Sequence, residues 1–279
     1  IPTIIDVKDL WPEIFISRLP RKFSWIINIL IYPYKIMSLY SLKNADKISS
    51  ISPSFLKWSQ IYSKRKNIKN DFVAPLVSPK ISLTKIELIQ SNEWWESKGI
   101  FLKNKPTFCF IGSLSIAFDF TEVSKAAKLL ENDGLDFQLI ICGAGSASNK
   151  IKSLFKDIKS VYFPGWVNSK NAYLLRKHSI ASIAPYINTE DFVKSIPNKI
   201  IDSLSYSLPI ISTLKGEVND LITDKECGLS IENDFREWKL SLKKMISSTI
   251  YLEKLKVNCE KVYLKNFNYS GIYTYLDRC

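Results

Sequence analysis

Two stretches of the sequence decide the fold: TFCFIG at residues 107–112 and FQLIICG at residues 137–143. Each is a short apolar run, rich in residue types that favour strands, and each ends at a glycine. Between them, Phe120–Asn132 carries apolar residues at helical spacing. A strand, a helix and a second strand in this order predict a right-handed β-α-β unit with parallel strands.

The same alternation continues toward the C-terminus. The further predicted strands are Val161–Phe163, Ile180–Ala184, Pro209–Ser212 and Gly228–Ile231. The further predicted helices are Asn149–Lys156, Lys170–Lys177, Asn198–Ser207 and Glu217–Thr223, followed by helical sequence over Phe235–Leu264 and Asn266–Leu276. This pattern predicts a Rossmann-like domain, in which helices cover both faces of a parallel sheet.

The first 76 residues are predicted to be the end of a second α/β unit. They comprise the strand Ile1–Val7, the helical region Phe23–Ser41, the strand Ala45–Ile51 and the short strand Phe72–Leu76. The chain enters directly on an apolar strand, so we expect that more of this unit precedes it. A break is predicted at Ser52-Pro53, and residues 77–105 are predicted to be a connection with one helix. A length of 279 residues agrees with two domains.

The composition is that of a folded protein with excess positive charge. Apolar residues make up 46% and charged residues 24%, which excludes a disordered, collagen-like or coiled-coil chain. The net charge of +12 favours an anionic partner: a phosphate-bearing ligand, a membrane surface or nucleic acid. Basic runs such as Lys64-Arg65-Lys66 are predicted to lie on solvated faces. The longest nearly unbroken apolar run, Trp25–Tyr34, is too short to cross a bilayer and contains Pro33.

Neither a metal site nor nucleic-acid recognition is expected. The five cysteines are scattered and His178 is the single histidine, whereas zinc sites draw on clustered cysteine and histidine. No RNA-recognition, helix-turn-helix or zinc-finger pattern occurs in the sequence. Cysteines in apolar runs, such as Cys109 and Cys142, favour a reducing, cytoplasmic compartment. A catalytic pair of a cysteine with His178 stays an alternative.

Glycine is scarce, with nine in 279 residues, and its placement is therefore informative. Seven of the nine lie between residues 112 and 228, and Gly112, Gly143 and Gly165 each follow a predicted strand. Parallel sheets bind ligands at this edge, where glycine lets backbone N–H groups approach a phosphate. The same glycines also suit tight turns between strand and helix, and the residues alone leave both explanations open.

Five separated segments match one known family in order and spacing. They are IDVKDLWPE (5–13), FIGSL (110–114), LIICGAG (139–145), FPGWV (163–167) and PNKIIDSLSYSLPIIS (197–212), the last followed by KGE (215–217). The first resembles the D-x-x-D-L-W-P-E segment of family 4 glycosyltransferases of the GT-B fold. The last is similar to the P-N-K-x-x-E-Y-L-x-x-G-x-P-I block of the subgroup that builds bacterial surface polysaccharides.

This resemblance implies a GT-B fold of two Rossmann-like domains with parallel sheets, the N-terminal one only partly present. Residues 1–85 would be the C-terminal part of the acceptor-side domain, 86–105 a linker, 106–262 the donor domain and 263–279 a helix that crosses back. The implied activity is that of a hexosyltransferase-type enzyme, which moves a sugar, with retention, from a nucleotide-sugar to a lipid-linked glycan. The resemblance also implies that the protein is cytoplasmic, at the inner face of the cytoplasmic membrane.

The resemblance also implies how the donor is bound. No metal or other cofactor is implied, because backbone N–H groups, helix N-termini and basic side chains stabilise the leaving nucleoside diphosphate. Asp202, in place of the family's second glutamate, is assigned to the ribose hydroxyls. Lys199 is assigned to the diphosphate, because a lysine at a helix start opposes the helix dipole unless an anion is bound; plain solvation is the alternative. The full donor-binding set is Gly112, Ser113, Gly143, Trp166, Val167, Asn198, Lys199, Asp202 and Glu217.

Several of these assignments have alternatives. Trp166 and Val167 would present backbone groups to the nucleobase, or Trp166 would simply pack. Glu217 would contact the ribose or sugar, or favour its helix through the dipole. Lys194 stands where the family has its other glutamate, and residues 112–117 lack the family's arginine and lysine. These departures keep open a catalytically degenerate binding or scaffold protein.

On the acceptor side, Asp9 and Glu13 are the implied catalytic residues, where a carboxylate positions or deprotonates the acceptor hydroxyl. Lys8 stands where several relatives have histidine. Phe23–Met37 and its basic neighbours suit an anionic membrane surface; those neighbours are Arg18, Arg21, Lys22 and Lys35. A core helix beneath the first sheet is the alternative.

Overall fold

The structure is a computed structural model that describes residues 2–17, 24–66 and 68–268, and the chain divides into two units. The first unit takes in the described residues up to Leu76 together with Asn188–Pro197. The second takes in Val77–Ile187 and the described residues from Asn198 onward. Among the described helices, none combines the length and the apolar character needed to cross a bilayer.

The first unit contains a small parallel sheet. Its strands are β1 (Ile4–Val7), β2 (Lys47–Ser50) and β3 (Phe72–Val73), paired in that order. Its helices up to residue 76 are α1 (Ile14–Ser17), α2 (Ser24–Leu30), α3 (Tyr32–Asn44) and α4 (Pro53–Ser63). Ile48 of β2 and Phe55 of α4 are almost completely buried in its core. The three predicted strands are confirmed, each shorter than expected.

Two prolines explain where the helices of this unit differ from the prediction. The helical region predicted over Phe23–Ser41 is confirmed in its described residues, but it consists of two helices, because α3 begins at Tyr32 with Pro33 in its first turn. Ser52-Pro53, expected to be a break, starts the unpredicted helix α4. Ser52 accepts a hydrogen bond from the Phe55 N–H, and proline in a first turn loses no helical hydrogen bond.

A buried ion pair joins several parts of the first unit. The Arg65 Nε lies 3.0 Å from Asp71 Oδ2, and both side chains are almost fully buried. The guanidinium also donates to the carbonyls of Leu42, Ala45 and Asp46. The prediction that Lys64-Arg65-Lys66 is simply a solvated face is therefore wrong for Arg65, because the fold brings carbonyl and carboxylate acceptors to it.

The second unit has a six-stranded parallel sheet. Its strands are β4 (Thr107–Ile111), β5 (Gln138–Cys142), β6 (Val161–Gly165), β7 (Ala181–Ala184), β8 (Ile210–Ser212) and β9 (Gly228–Ser230). The six strands predicted for this region are confirmed, with ends that differ by no more than two residues. Their order is β6-β5-β4-β7-β8-β9. From the central β4–β7 pair, the chain adds β5 and β6 on one side and β8 and β9 on the other. In such sheets ligands bind beyond the strand ends at this switch point.

The helices of this part of the chain are α5 (Lys85–Ser97), α6 (Thr121–Asn132), α7 (Ser148–Leu154), α8 (Ser169–His178), α9 (Glu190–Val193), α10 (Asn198–Ser205), α11 (Glu217–Lys225), α12 (Phe235–Ser247) and α13 (Thr249–Asn266). The predicted helix within 77–105 and the five predicted helices between strands are confirmed. The helical sequence predicted over Phe235–Leu264 is confirmed and forms two helices, which divide at Ser248, where the hydroxyl caps α13 by accepting from the Tyr251 N–H. Most of the predicted helix Asn266–Leu276 lies outside the described residues.

Candidate functional site

Three loops meet at the C-terminal edge of β4, β5 and β6. The Gly112 N–H donates to the Cys142 carbonyl (3.0 Å), and the Gly143 N–H donates to the Gly165 carbonyl (2.8 Å). A Cβ on Gly143, whose φ is +137°, would lie 1.8 Å from the Gly112 oxygen. Gly143 therefore has a packing reason to be glycine, and both of these amides are already used by the fold.

Ser113 supplies a further backbone donor in this turn. Among the described residues, the Ser113 N–H has no hydrogen-bond acceptor. The next residue is tied down, because the Leu114 N–H donates to the Ala144 carbonyl and the Leu114 carbonyl accepts from Ala147. These bonds thus fix the turn after β4 and leave the Ser113 amide free at the switch point.

Lys199 places an ammonium group beside this turn. Its Nζ lies against Gly112: a Cβ atom added to Gly112 would be 1.9 Å from the Lys199 Nζ. The same Nζ sits over the rings of Phe110 (5.4 Å) and Phe118 (5.2 Å), a cation–π arrangement. In the described part of the chain, no carboxylate lies within ion-pair distance of it. The side chain is half-buried, so plain solvation does not describe it.

Burial lowers the pKa of Lys199; the Asp202 carboxylate opposes this shift and the Arg176 guanidinium adds to it. A lowered lysine pKa means that the charged form lacks full compensation from the protein. An anion bound beside Gly112 would supply that compensation. The geometry is therefore suited to a phosphate group.

Asp202, on α10, is held by two donors. Its Oδ1 accepts from the Ser78 hydroxyl (2.8 Å), and its Oδ2 accepts from Arg176 Nη2 (3.1 Å). The side chain remains 33% exposed. Arg176 and Ser78 were not singled out from the sequence. Arg176 lies 26 residues before Asp202, in the basic end of α8, where charge complementary to the helix dipole is an ordinary explanation.

A small cavity lies behind Lys199. Its volume is about 20 Å³, enough for one water molecule, and both Lys199 and Arg176 line it. Ser203 also lines it and donates to the Ser182 hydroxyl. Two cations and one carboxylate thus meet at the switch point, which gives this edge of the sheet a local positive charge.

The other donor-side candidates are distributed along the same sheet. Trp166 does not pack, since its side chain is 72% exposed, whereas Val167 belongs to a buried core with Trp95. Asn198 is exposed at the start of α10, next to Lys199. Glu217 is the first residue of α11, a position where a carboxylate interacts favourably with the helix dipole.

The two acceptor-side candidates have different surroundings in the first unit. Asp9 is exposed and lines a cavity of about 440 Å³ with Lys8 and Trp11. Glu13 is packed instead, with one of its oxygens 3.9 Å from Lys35 Nζ. Burial of the Tyr62 hydroxyl raises the pKa of Tyr62, and the nearby Glu13 carboxylate raises it further. The structure therefore leaves Asp9 more exposed to an acceptor than Glu13.

The position of the family's missing glutamate lies in the segment Asn188–Pro197, which belongs to the first unit. Lys194 Nζ pairs with Glu190 at 2.9 Å, and the Lys194 carbonyl accepts from the Ser52 hydroxyl. Both ends of Lys194 are thus engaged, and it acts as a structural residue of this segment.

Comparison with known proteins identifies the family. Residues 105–248, just over half of the chain, match the family model described as Glycosyl transferases group 1. The chain therefore belongs to this family of glycosyl transferases. No curated protein matches the sequence.

Solved structures show the same fold. Sucrose-phosphate synthase from Thermosynechococcus elongatus aligns with a TM-score of 0.65 at 12% identity, over 88% of this chain and 60% of that one. WaaG, a glycosyltransferase involved in lipopolysaccharide biosynthesis, aligns at 0.68 and 13% identity, over 100% and 75%. Anabaena HepE in complex with UDP-glucose aligns at 0.73 and 12% identity, over 99% and 71%. The fold is therefore GT-B, and this chain spans 60–75% of the length of these proteins.

Proposed function

We propose that this protein transfers a sugar from a nucleotide-sugar to a glycan, as a family 4 enzyme of bacterial surface-polysaccharide synthesis such as lipopolysaccharide or capsule. The observation that carries this proposal is the half-buried Lys199 ammonium, which has no carboxylate partner in the described chain and lies against Gly112, the residue before the Ser113 amide. The HepE structures with UDP and UDP-glucose support a nucleotide-sugar donor. The role of WaaG in lipopolysaccharide biosynthesis supports the pathway.

In the proposed reaction, the bond between the sugar's anomeric carbon and the diphosphate oxygen breaks, and its electron pair stays on the diphosphate. The acceptor oxygen forms the new bond to that carbon and loses its proton, with overall retention at the anomeric carbon. Lys199 and the Ser113 N–H stabilise the charge that develops on the diphosphate, so the proposed reaction needs no metal ion. Asp202 binds the ribose, and Asp9 takes the acceptor's proton.

Thermal stabilisation by UDP, GDP, CMP and ADP tests the donor site. We expect one of them to raise the melting temperature of the wild type. Lys199→Met should abolish the shift, while Lys152→Met, which removes an exposed lysine of the same unit, should keep it. Slow hydrolysis of the matching nucleotide-sugar would then establish turnover.

Two results would count against the proposal. No shift with any nucleotide would favour the degenerate scaffold. Binding without hydrolysis or transfer to any glycan acceptor would favour a GT-B-like binding protein.

We also propose that α2 and α3 contact the inner face of an anionic membrane, where a lipid-linked acceptor would be found. Of the residues Trp25–Leu42, only Ile31 and Leu42 are buried, and this exposure favours a surface contact over a core helix. The exposed large apolar or aromatic side chains are Trp25, Ile26, Ile29, Leu30, Tyr32, Tyr34, Ile36, Met37 and Tyr40. Residues 1–76 contain 12 Lys and Arg against 5 Asp and Glu. Apolar and aromatic side chains with positive charge suit an anionic lipid surface.

Sedimentation with vesicles of phosphatidylcholine, with and without phosphatidylglycerol, tests this contact. We expect binding only to the anionic vesicles, and Trp25→Ser with Met37→Ser should weaken it by about tenfold or more, because each removes exposed apolar surface. Ile61→Ser, on an exposed position of α4, is the matched control and should bind like the wild type. Equal binding by the double variant, or burial of this face in a concentration-dependent dimer, would contradict the proposal.

A further inference from the structure

Asp202 is fixed by two parts of the second unit that are distant in sequence. Ser78 lies in the segment between β3 and α5 and is buried, and its own carbonyl accepts from the Tyr263 hydroxyl of α13 at 2.8 Å. Arg176 comes from the last turn of α8. The Ser78 hydroxyl and the Arg176 guanidinium bind different oxygens of the Asp202 carboxylate.

Arg176 is itself restrained. Its side chain is only 15% exposed, and its guanidinium lies 5.3 Å from the centre of the Tyr206 ring. Tyr206 in turn packs edge-on against Tyr173 of α8, with 5.5 Å between ring centres. Because the guanidinium cannot move freely, the carboxylate that it holds has a defined orientation.

The carboxylate still has capacity to bind a ligand. Two carboxylate oxygens offer about four acceptor positions, and Ser78 and Arg176 occupy one on each oxygen. One position on each oxygen remains, and the side chain is one-third exposed. A pair of neighbouring hydroxyls, as on a ribose, needs two adjacent acceptors held in one plane.

We propose that Arg176 and Ser78 are positioning residues, which orient Asp202 so that it accepts hydrogen bonds from both ribose hydroxyls of the nucleotide. This inference rests on the proposed donor site. Arg176 acts through Asp202: it holds the shorter aspartate side chain in one orientation and keeps a positive charge beside it. The consequence is discrimination between ribonucleotides and 2′-deoxyribonucleotides.

Calorimetric titration with UDP and 2′-deoxy-UDP tests the inference, or the matching pair for whichever base stabilises the wild type. We expect the wild type to bind the ribonucleotide about tenfold more tightly, the range for a hydrogen bond to a charged group. Arg176→Met and Ser78→Ala should bring the ratio of the two affinities toward one, and Asp202→Asn should do so most completely. Lys177→Met, which removes the neighbouring cation of α8, should leave the ratio unchanged.

The ratio separates positioning from general damage, because a loosened fold weakens both ligands together. If the wild type binds neither diphosphate, the proposed function and this inference both fail. If it binds both equally, Asp202 does not read the ribose and the inference alone is wrong. A wild-type ratio that Arg176→Met preserves would equally overturn it.

Discussion

Among the described residues, each unit contains one Arg–Asp pair with a short contact, and the two pairs differ in what else surrounds them. Arg65 and Asp71 in the first unit are 3% and 0% exposed, whereas Arg176 and Asp202 in the second are 15% and 33% exposed. Asp71 also accepts from the Ile48 N–H and the Gln60 amide, so its oxygens are fully used. Asp202 keeps acceptor positions free.

This difference separates a structural pair from the pair that we propose to bind ribose, although both have the same chemistry. A saturated, buried pair can only hold the fold together, and it fails badly when one partner is lost. A partly exposed pair beside the uncompensated Lys199 has both charge and hydrogen-bonding capacity to offer a ligand. Exposure and unused acceptors, more than the identity of the residues, indicate function here.

The largest effect is expected from removing the buried cation of the first pair. Arg65→Met leaves the Asp71 carboxylate buried without its counter-charge and removes donors from three carbonyls. We expect it to lower the free energy of unfolding by about 3–5 kcal/mol, measured by urea denaturation. Arg176→Met should lower the free energy of unfolding by clearly less, because the Asp202 carboxylate is partly solvated.

The matched control is Lys66→Met, which changes the exposed neighbour of Arg65 and should stay within about 0.5 kcal/mol of the wild type. If Arg65→Met were no more damaging than this control, the buried pair would not be a structural element. The contrast between the two Arg–Asp pairs would then collapse.

The second prediction concerns affinity and the cation of the second unit. Lys199→Met removes the charge beside Gly112 while keeping most of the apolar stem. We expect the dissociation constant for the bound nucleoside diphosphate to rise by about 10- to 150-fold, the equivalent of about 1.5–3 kcal/mol. Calorimetry on Lys199→Met and on the exposed control Lys152→Met measures it. Equal affinities would show that the phosphates bind elsewhere.

The pH dependence of this binding should follow from the lowered pKa of Lys199. A bound diphosphate stabilises the ammonium, so the pKa of Lys199 is higher in the complex than in the free protein. Affinity is therefore full below the free-state pKa and falls as the pH rises through it, beginning below the ordinary lysine value of about 10.4. We expect the nucleotide affinity of the wild type to fall several-fold between about pH 7 and about pH 10, and that of Lys199→Met not to fall. A wild-type affinity that does not change with pH would contradict this prediction.

The fold was more predictable from the sequence than the site because strands depend on local runs. The stretch TFCFI is apolar throughout, as a strand covered on both faces must be, and it forms β4 with the predicted ends. Arg176 depends on α8 and α10 coming together, and no local pattern reports that contact. Arg65 was missed for a related reason: within a run of three basic residues, only the fold decides which one turns inward.

The smallest expected effect concerns the turn that ends α10, next to the second pair. Ser207 has a φ of +53°, a left-handed conformation that favours glycine, and the resembling family block has glycine at this position. Ser207→Gly should therefore raise the free energy of unfolding by about 0.5–1 kcal/mol, as measured by urea denaturation. Ser205→Gly, two residues earlier in the helix, should lower it by about 1 kcal/mol because glycine is unfavourable there and the Ser205 hydroxyl bond to the Asp202 carbonyl is lost. If both changes destabilised equally, the left-handed turn would not be strained. Glycine can adopt the same left-handed turn, so the end of α10 and the position of Asp202 should not change. The ratio of ribonucleotide to 2′-deoxyribonucleotide affinity should therefore be the same for Ser207→Gly as for the wild type.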